Sequence, residues 1–136
     1  MKAYEELENI FGDSDRPPTS SDLHEMRYLE MVLKETLRLY PIGPILMRQL
    51  EGDVRIRDFV LPTGCSVAVF LYRTQRNPQF FPEPDKFDPD RFLPENSANI
   101  VPYSYLPFSG GPRKCIGNEH QVTNLICSFQ NMCPQI

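Results

Sequence analysis

A cysteine near the end of the chain stands in an unusual setting, the stretch FSGGPRKCIG at residues 108–117. Two glycines and a proline precede Cys115, and they bend the chain tightly enough for backbone to approach a flat object. Arg113 and Lys114 add positive charge, and a helix that starts at Cys115 would add free backbone N–H groups. This setting favours a thiolate. A thiolate here could be a nucleophile, a redox thiol or a metal ligand.

The alternatives for Cys115 differ in what they need nearby. A nucleophile needs a base, and the chain has only His24 and His120. His120 lies five residues downstream, a poor spacing for a hydrogen bond along a helix. The phosphate-loop pattern GxxxxGK[ST] is absent, and a buried structural cysteine explains neither the glycines nor the charges. Ligation of an iron fits these residues best.

A second group of residues could form a buried ion network. Glu35 and Arg38 are three residues apart in a helical stretch, so carboxylate and guanidinium can meet on one face. On the surface such a pair contributes less than about 1 kcal/mol. The apolar neighbours favour burial, and a buried pair needs a third partner. Arg91 in FDPDRF is the candidate, because its planar fork could hold Glu35.

The elements that position these residues begin with helices. Residues 3–11 have helical spacing and Gly12 is a natural stop. Residues 13–20 read as a linker, after which Ser21 or Asp22 can cap a new helical stretch. The spacing then predicts a strong helix that ends before a proline. Its expected apolar face is Tyr28, Leu29, Val32, Leu33, Thr36, Leu37 and Tyr40.

Strand and coil signals follow the helices. Val54 and Ile56 alternate with charged residues, and residues 61–64 read as a turn into a more buried strand at 65–72, which predicts a β-hairpin. Residues 78–112, here called the meander, contain eight prolines and cannot be regular helix or central strand. Their many aromatics predict an ordered coil packed on a core.

Composition excludes several classes of protein. The chain of 136 residues suits a single domain, and its net charge of −4 argues against a nucleic-acid partner. No apolar run approaches the roughly 20 residues of a membrane-spanning helix, and the acidic start is unlike a signal peptide. The four cysteines show no CxxC spacing, so we expect reduced thiols without a disulfide framework or a zinc site.

Three motifs together resemble the cytochrome P450 family. Residues 108–117 match FxxGxRxCxG at every fixed position, after an ExxR helix at 35–38 and a PxRF-like box at 89–92. The resemblance covers about residues 3–117. Within this range the sequence is most similar in type to insect members of the animal family 4. It implies the C-terminal portion of a mainly α fold with a small β part. The expected parts are the ExxR helix, the β-hairpin, the meander, the cysteine loop and the start of the final helix.

The chain departs from the family at several places, one of which is Ile100-Val101, where the family usually has a basic pair. Residues 118–136 form an atypical tail, which suggests a truncated gene model or intron read-through, so 1–136 would be one incomplete domain. Gln75 stands where the family often has histidine, which bears on contacts with the haem propionates.

The resemblance also implies roles for the residues of the loop. Cys115 would be the axial thiolate ligand of the iron in haem b, and Phe108 would pack beside the sulfur and the haem. Gly111 and Gly117 would shape the loop around the cofactor. Arg113 would pair with a haem propionate.

The resemblance also implies roles for other charged residues. Arg48 would pair with another propionate, and Lys114 would lie on the face where a reductase docks. Glu35, Arg38 and Arg91 would form a buried structural triad that locks the meander in place.

The activity implied by the resemblance is that of a haem-thiolate monooxygenase. It would insert one oxygen atom from O2 into a C–H bond of a hydrophobic substrate, such as a fatty-acid-like lipid or a xenobiotic. Electrons would come from NADPH through NADPH–cytochrome P450 reductase. The full-length parent would sit on the cytosolic face of the endoplasmic reticulum, held by an N-terminal anchor that this chain lacks. The alternatives are an O2-independent isomerase or a peroxygenase, and a truncated, non-catalytic product.

Overall fold

The computed structural model describes residues 2–14 and 16–115, and its first half is helical. Helix α1 spans Lys2–Phe11, α2 spans Ser20–Glu25 and α3 spans Arg27–Leu39. The stop at Gly12 is confirmed: this glycine has φ +52° and donates its N–H to the Glu8 carbonyl at 2.8 Å. Positive φ is the conformation that glycine adopts without steric cost.

Helix α2 begins with a different cap from the one predicted. Thr19, and neither Ser21 nor Asp22, is the N-cap residue. Its hydroxyl accepts the Asp22 N–H at 3.4 Å, while the Asp22 carboxylate accepts the Thr19 N–H at 2.7 Å. Asp22 is therefore the third helical residue of a capping box, and Arg16 binds the same carboxylate at 2.5 and 2.8 Å.

Helix α3 packs on α1 to make the main apolar cluster. Met26, Leu29 and Leu33 are buried there against the apolar face of α1. The predicted face is wrong at Thr36 and Tyr40, which are exposed, Tyr40 by 68%. Tyr40 has already left helical geometry, with φ −127° and ψ 68°, because a proline follows it.

The strand pairing differs from the predicted hairpin. Strand β2, Val54–Ile56, turns back directly onto β3, Phe59–Leu61, with Val54 opposite Leu61. The intervening Arg57 has φ +52°, as tight hairpin turns require.

The second predicted strand pairs elsewhere. Strand β4, Ser66–Phe70, is antiparallel to β1, Ile45–Gln49, with Ile45 opposite Phe70. Most of β4 is exposed, which is also contrary to expectation, and helix α4, Leu71–Thr74, follows it directly. The partner strand β1 gave no clear alternation in the sequence.

The meander is an ordered coil, as predicted. Its regular pieces are a 3-10 turn at Pro89–Phe92, the one-turn helix α5 at Pro94–Ser97 and a 3-10 turn at Gly111–Arg113. Phe81, Phe92 and Phe108 are buried, whereas Tyr103 is 74% exposed. The described part of the chain thus contains the expected helices and small antiparallel sheets. None of its helices has the length and apolarity to cross a bilayer.

Candidate functional site

The structure brings Glu35 and Arg38 together inside the protein. Arg38 donates from Nε to Glu35 Oε2 at 2.7 Å and from Nη2 to Oε1 at 2.8 Å. Both side chains are 0% exposed. The pair is a bidentate, charge-assisted contact, the strong kind of hydrogen bond between charged side chains.

Arg91 reaches the same carboxylate from the meander, though not in the way predicted. Its Nε lies 3.5 Å from Glu35 Oε1 and has no hydrogen-bond partner among the described residues. Its Nη2 donates instead to the Glu83 carbonyl at 2.9 Å. Glu35 Oε1 accepts a hydrogen bond from the Asp88 N–H at 2.9 Å. Arg91 therefore contributes a nearby positive charge to Glu35, while Arg38 makes the bidentate hydrogen bonds.

The remaining donors of Arg38 hold the start of the meander. Nη1 donates to the carbonyls of Gln75 and Pro84 at 2.9 and 2.7 Å, and Nη2 reaches the Lys86 carbonyl at 3.2 Å. The guanidinium also lies 5.2 Å from the centre of the Phe81 ring. A single buried arginine on α3 thus binds two backbone carbonyls of the meander and one at the end of α4.

Gln75 completes this junction, a role that sequence analysis missed. Its side chain is fully buried. Nε2 donates to the carbonyls of Leu37 and Arg38 at 3.1 and 3.0 Å, and Oε1 accepts the Leu106 N–H at 2.9 Å. Both polar atoms of the Gln75 side chain are therefore engaged in backbone bonds.

Arg76 was also missed, and it serves the end of the same helix. Its Nη1 donates to the Leu39 carbonyl and its Nε to Asp85 at 3.2 Å. The guanidinium lies between the rings of Tyr40 and Tyr72, 5.6 and 3.9 Å from their centres. Two adjacent polar residues before an Asn-Pro pair were the available signal, since the last carbonyls of a helix need outside donors.

The cysteine loop is closed by its own backbone. The Cys115 N–H donates to the Phe108 carbonyl at 3.0 Å, and the Lys114 N–H donates to the Gly111 carbonyl at 3.1 Å. Gly111 has φ +75°, a conformation that disfavours other residues. Cys115 is half-buried and carries a free thiol. Cys115, where the helix was predicted to start, is not helical. Gly117, the rest of that predicted helix and the tail at 118–136 lie outside the described residues.

Two predicted cations lie beside this loop. Arg48, on β1, donates from Nη2 to the Ser109 hydroxyl at 3.4 Å. Arg113 lies 4.0 Å from Glu51, with both side chains largely exposed. An ion pair this open contributes little, so Glu51 does not hold Arg113 firmly.

An apolar groove of about 270 Å³ runs between α3 and the residues that lead into the loop. It is lined by Leu33, Lys34, Leu37, Tyr105, Leu106, Pro107, Phe108 and Ser109. The Tyr105 hydroxyl donates to the Lys34 carbonyl at 3.1 Å. Burial, aided by the negative charge of Glu35, raises the pKa of Tyr105 above its ordinary range, so the phenol remains a neutral donor.

Comparison with known proteins identifies the family. The family model described as Cytochrome P450 matches residues 1–119. "Probable cytochrome P450 4aa1" of Drosophila melanogaster is 52% identical over 120 residues, which are 88% of this chain and 24% of that protein. "Cytochrome P450 4V2" of Homo sapiens is 45% identical over 121 residues, 89% of this chain and 23% of that protein. The chain therefore belongs to the cytochrome P450 family, and it spans about a quarter of the length of these curated relatives.

Membership in this family implies a haem cofactor, and the residues of the loop fit one. They offer a free, half-buried thiol as the donor for an iron. The loop also contains a buried phenylalanine, Phe108, and Arg48 and Arg113 bring positive charge to it. Within the described residues no three His, Cys, Asp or Glu side chains gather into a competing metal site.

Proposed function

We propose that this chain supplies the ligand loop of a haem-thiolate monooxygenase, with Cys115 as the axial ligand. The observation that carries the proposal is the closed loop itself. Its free thiol sits at the end of a turn whose first and last residues, Phe108 and Cys115, are joined by a backbone hydrogen bond. Haem, when bound, supplies O2 activation and transfer of an oxygen atom to the substrate.

The residues of this chain bind and orient that group. Cys115 would hold the haem iron through its thiolate, and a thiolate ligand supplies the electron density that favours O–O cleavage. Phe108 shields the sulfur from water. Arg113 and Arg48 would bind carboxylates of the cofactor. The contacts of Glu35, Arg38 and Arg91 fix the meander that carries the loop.

The proposed reaction places one atom of O2 in a C–H bond and releases the other as water. It consumes two electrons from NADPH and two protons, and a flavoprotein reductase delivers the electrons. The exposed cation Lys114 suits an acidic partner surface. The proposed substrate is a hydrophobic molecule such as a fatty-acid-like lipid or a xenobiotic. The proposed location of the full-length protein is the cytosolic face of the endoplasmic reticulum.

The test uses a complete P450 domain, made as a chimera in which this chain replaces the matching 120-residue region of the Drosophila relative. The chimera receives reductase, NADPH, a fatty acid and isotopically labelled O2. We expect hydroxylated product with one labelled oxygen atom. Product should vanish in Cys115→Ala and persist in Cys65→Ala, a matched control because Cys65 is the other free, half-buried cysteine of the described residues.

Three results would contradict the proposal. Product formed from an added lipid hydroperoxide, but not from the fatty acid with O2 and NADPH, would assign an isomerase or a peroxygenase. Absence of product from a haem-loaded chimera, when the intact Drosophila relative turns over, would assign a non-catalytic segment. Equal turnover by Cys115→Ala and Cys65→Ala would remove Cys115 from the site.

A further inference from the structure

We propose that Gln75 is a positioning residue for the Cys115 loop, an inference that rests on the proposed function of that loop. Gln75 lies at the end of α4, far in sequence from both segments that it joins. Its side-chain amide binds the last turn of α3 on one side and the approach to the loop on the other. Because the side chain is 0% exposed, water cannot substitute for these bonds without rearrangement.

The donor side of the amide caps α3. The carbonyls of Leu37 and Arg38 belong to the last turn of the helix, where no further helical N–H follows to bind them. Gln75 Nε2 donates to these carbonyls at 3.1 and 3.0 Å. The opposite orientation of the amide would set its oxygen against two carbonyl oxygens, so the partners fix which way the side chain faces.

The acceptor side of the amide holds the approach to the loop. Gln75 Oε1 accepts the Leu106 N–H at 2.9 Å, and the Leu106 carbonyl accepts the Ser109 N–H at 3.4 Å. The Leu106 side chain lies under the loop, because a Cβ at Gly110 would be only 3.1 Å from its Cδ2. Fixing Leu106 therefore fixes both the entry to the loop and the side chain against which Gly110 packs.

The backbone of Gln75 is held as firmly as its side chain. Its N–H donates to the Leu71 carbonyl at 2.9 Å, and its carbonyl accepts from Arg38 Nη1 at 2.9 Å. Every polar group of the residue thus has a partner in the protein. Gln75 is the point where the Glu35–Arg38 pair and the loop are joined, and its removal strands two carbonyls and one N–H in the interior.

The first readout is hydrogen exchange at the approach to the loop, and it does not depend on haem. In the chimera, Gln75→Met keeps the length of the side chain and removes its hydrogen bonds. Hydrogen exchange of the Leu106 amide should accelerate about ten- to a hundredfold, the range expected for a lost buried hydrogen bond. The Glu30 amide, bound within α3 to the Met26 carbonyl at 3.1 Å, should change little. Gln79→Met is the matched control, since Gln79 is exposed in the same segment.

A spectroscopic readout connects the residue to the ligand. The reduced carbon monoxide complex of Gln75→Met should show a smaller fraction of the thiolate-type Soret band than that of Gln79→Met. Gln75→His, which keeps one donor and one acceptor, should recover part of the Leu106 protection and of the band. If Gln75→Met yields no folded protein, the test depends on Gln75→His. This variant must then keep the Leu106 amide protection and the thiolate-type band above half of the parent values.

The inference is overturned if Leu106 and Glu30 exchange faster by the same factor, or if Gln75→Met matches Gln79→Met in both readouts. It is also overturned if Gln75→His is no better than Gln75→Met. These failures are separate from failure of the proposed function. Retention of the thiolate-type band by Cys115→Ala would reject the ligand and leave the exchange result at Leu106 in place.

Discussion

Arg38 donates two hydrogen bonds to the carboxylate of Glu35, at 2.7 and 2.8 Å, and neither side chain has any exposed surface. Breaking a buried pair strands its remaining charge, at a cost of about 3–5 kcal/mol. We therefore expect Glu35→Ala in the chimera to lose most of its haem content and to unfold at lower denaturant concentration.

The same helix provides a matched control for this loss. Glu30 and Lys34 form an exposed ion pair at 2.8 Å, and such pairs contribute about 0.3–0.5 kcal/mol. Glu30→Ala should leave the haem content near that of the parent. Equal effects of Glu30→Ala and Glu35→Ala would show that burial of the Glu35 pair has no energetic importance.

Arg91 gives a second prediction, because its contact with Glu35 is longer. Its Nε lies 3.5 Å from the carboxylate, and Nη2 holds the Glu83 carbonyl at 2.9 Å. Arg91→Ala should cost about 1–3 kcal/mol, less than Glu35→Ala. The two changes should be non-additive, and a double mutant scarcely weaker than Glu35→Ala would show it by denaturant unfolding. Losses that simply sum would mean that the two residues act independently.

The loop conformation predicts a difference between two glycines. Gly111 has φ +75°, whereas Gly43 has ordinary φ, and an added Cβ meets nothing within 4 Å at either position. Gly111→Ala should destabilise the protein by about 1–2 kcal/mol through backbone strain alone. Gly43→Ala should be neutral or stabilise by up to about 1 kcal/mol. Denaturant unfolding of both variants is the measurement, and a Gly111→Ala as stable as Gly43→Ala would argue against the positive φ.

The Asp22 cluster predicts a dependence of stability on pH. The Arg16 guanidinium, with help from Thr19, holds the pKa of the Asp22 carboxyl well below its usual range. A group with a lowered pKa stabilises the fold above the unfolded value of about 4, and this contribution is lost as the pH falls below it. Asp22→Asn should therefore lower the thermal midpoint at about pH 7, with a smaller difference from the parent at about pH 3. Asp58→Asn, at an exposed position, is the control. A difference for Asp22→Asn that stays constant over this range would contradict the assignment.

Sequence analysis predicted the features that depend on residues close together in the chain. The stop at Gly12, the helix that carries Glu35 and Arg38, and the coil nature of the meander follow from residue type and short spacing. The strand partners could not be predicted in this way. Pairing of β4 with β1 depends on contacts about 20 residues apart, and the alternation in β2 fits more than one partner.

The role of Gln75 shows a second limit. Its three side-chain partners lie 31 to 38 residues away, and its residue type is ordinary for an exposed turn. Buried glutamines are recognised only when the groups that satisfy them are known. The Cys115 loop was easier to predict because its glycines, proline and cations are adjacent in the sequence.

The assignment of Cys115 as the iron ligand is tested most directly by the absorption spectrum of the reduced carbon monoxide complex. The haem-loaded chimera and its Cys65→Ala variant should both show the thiolate-type Soret band, whereas Cys115→Ala should lack it even when haem is supplied in excess. A thiolate-type band retained by Cys115→Ala, or lost from Cys65→Ala alone, would contradict the assignment.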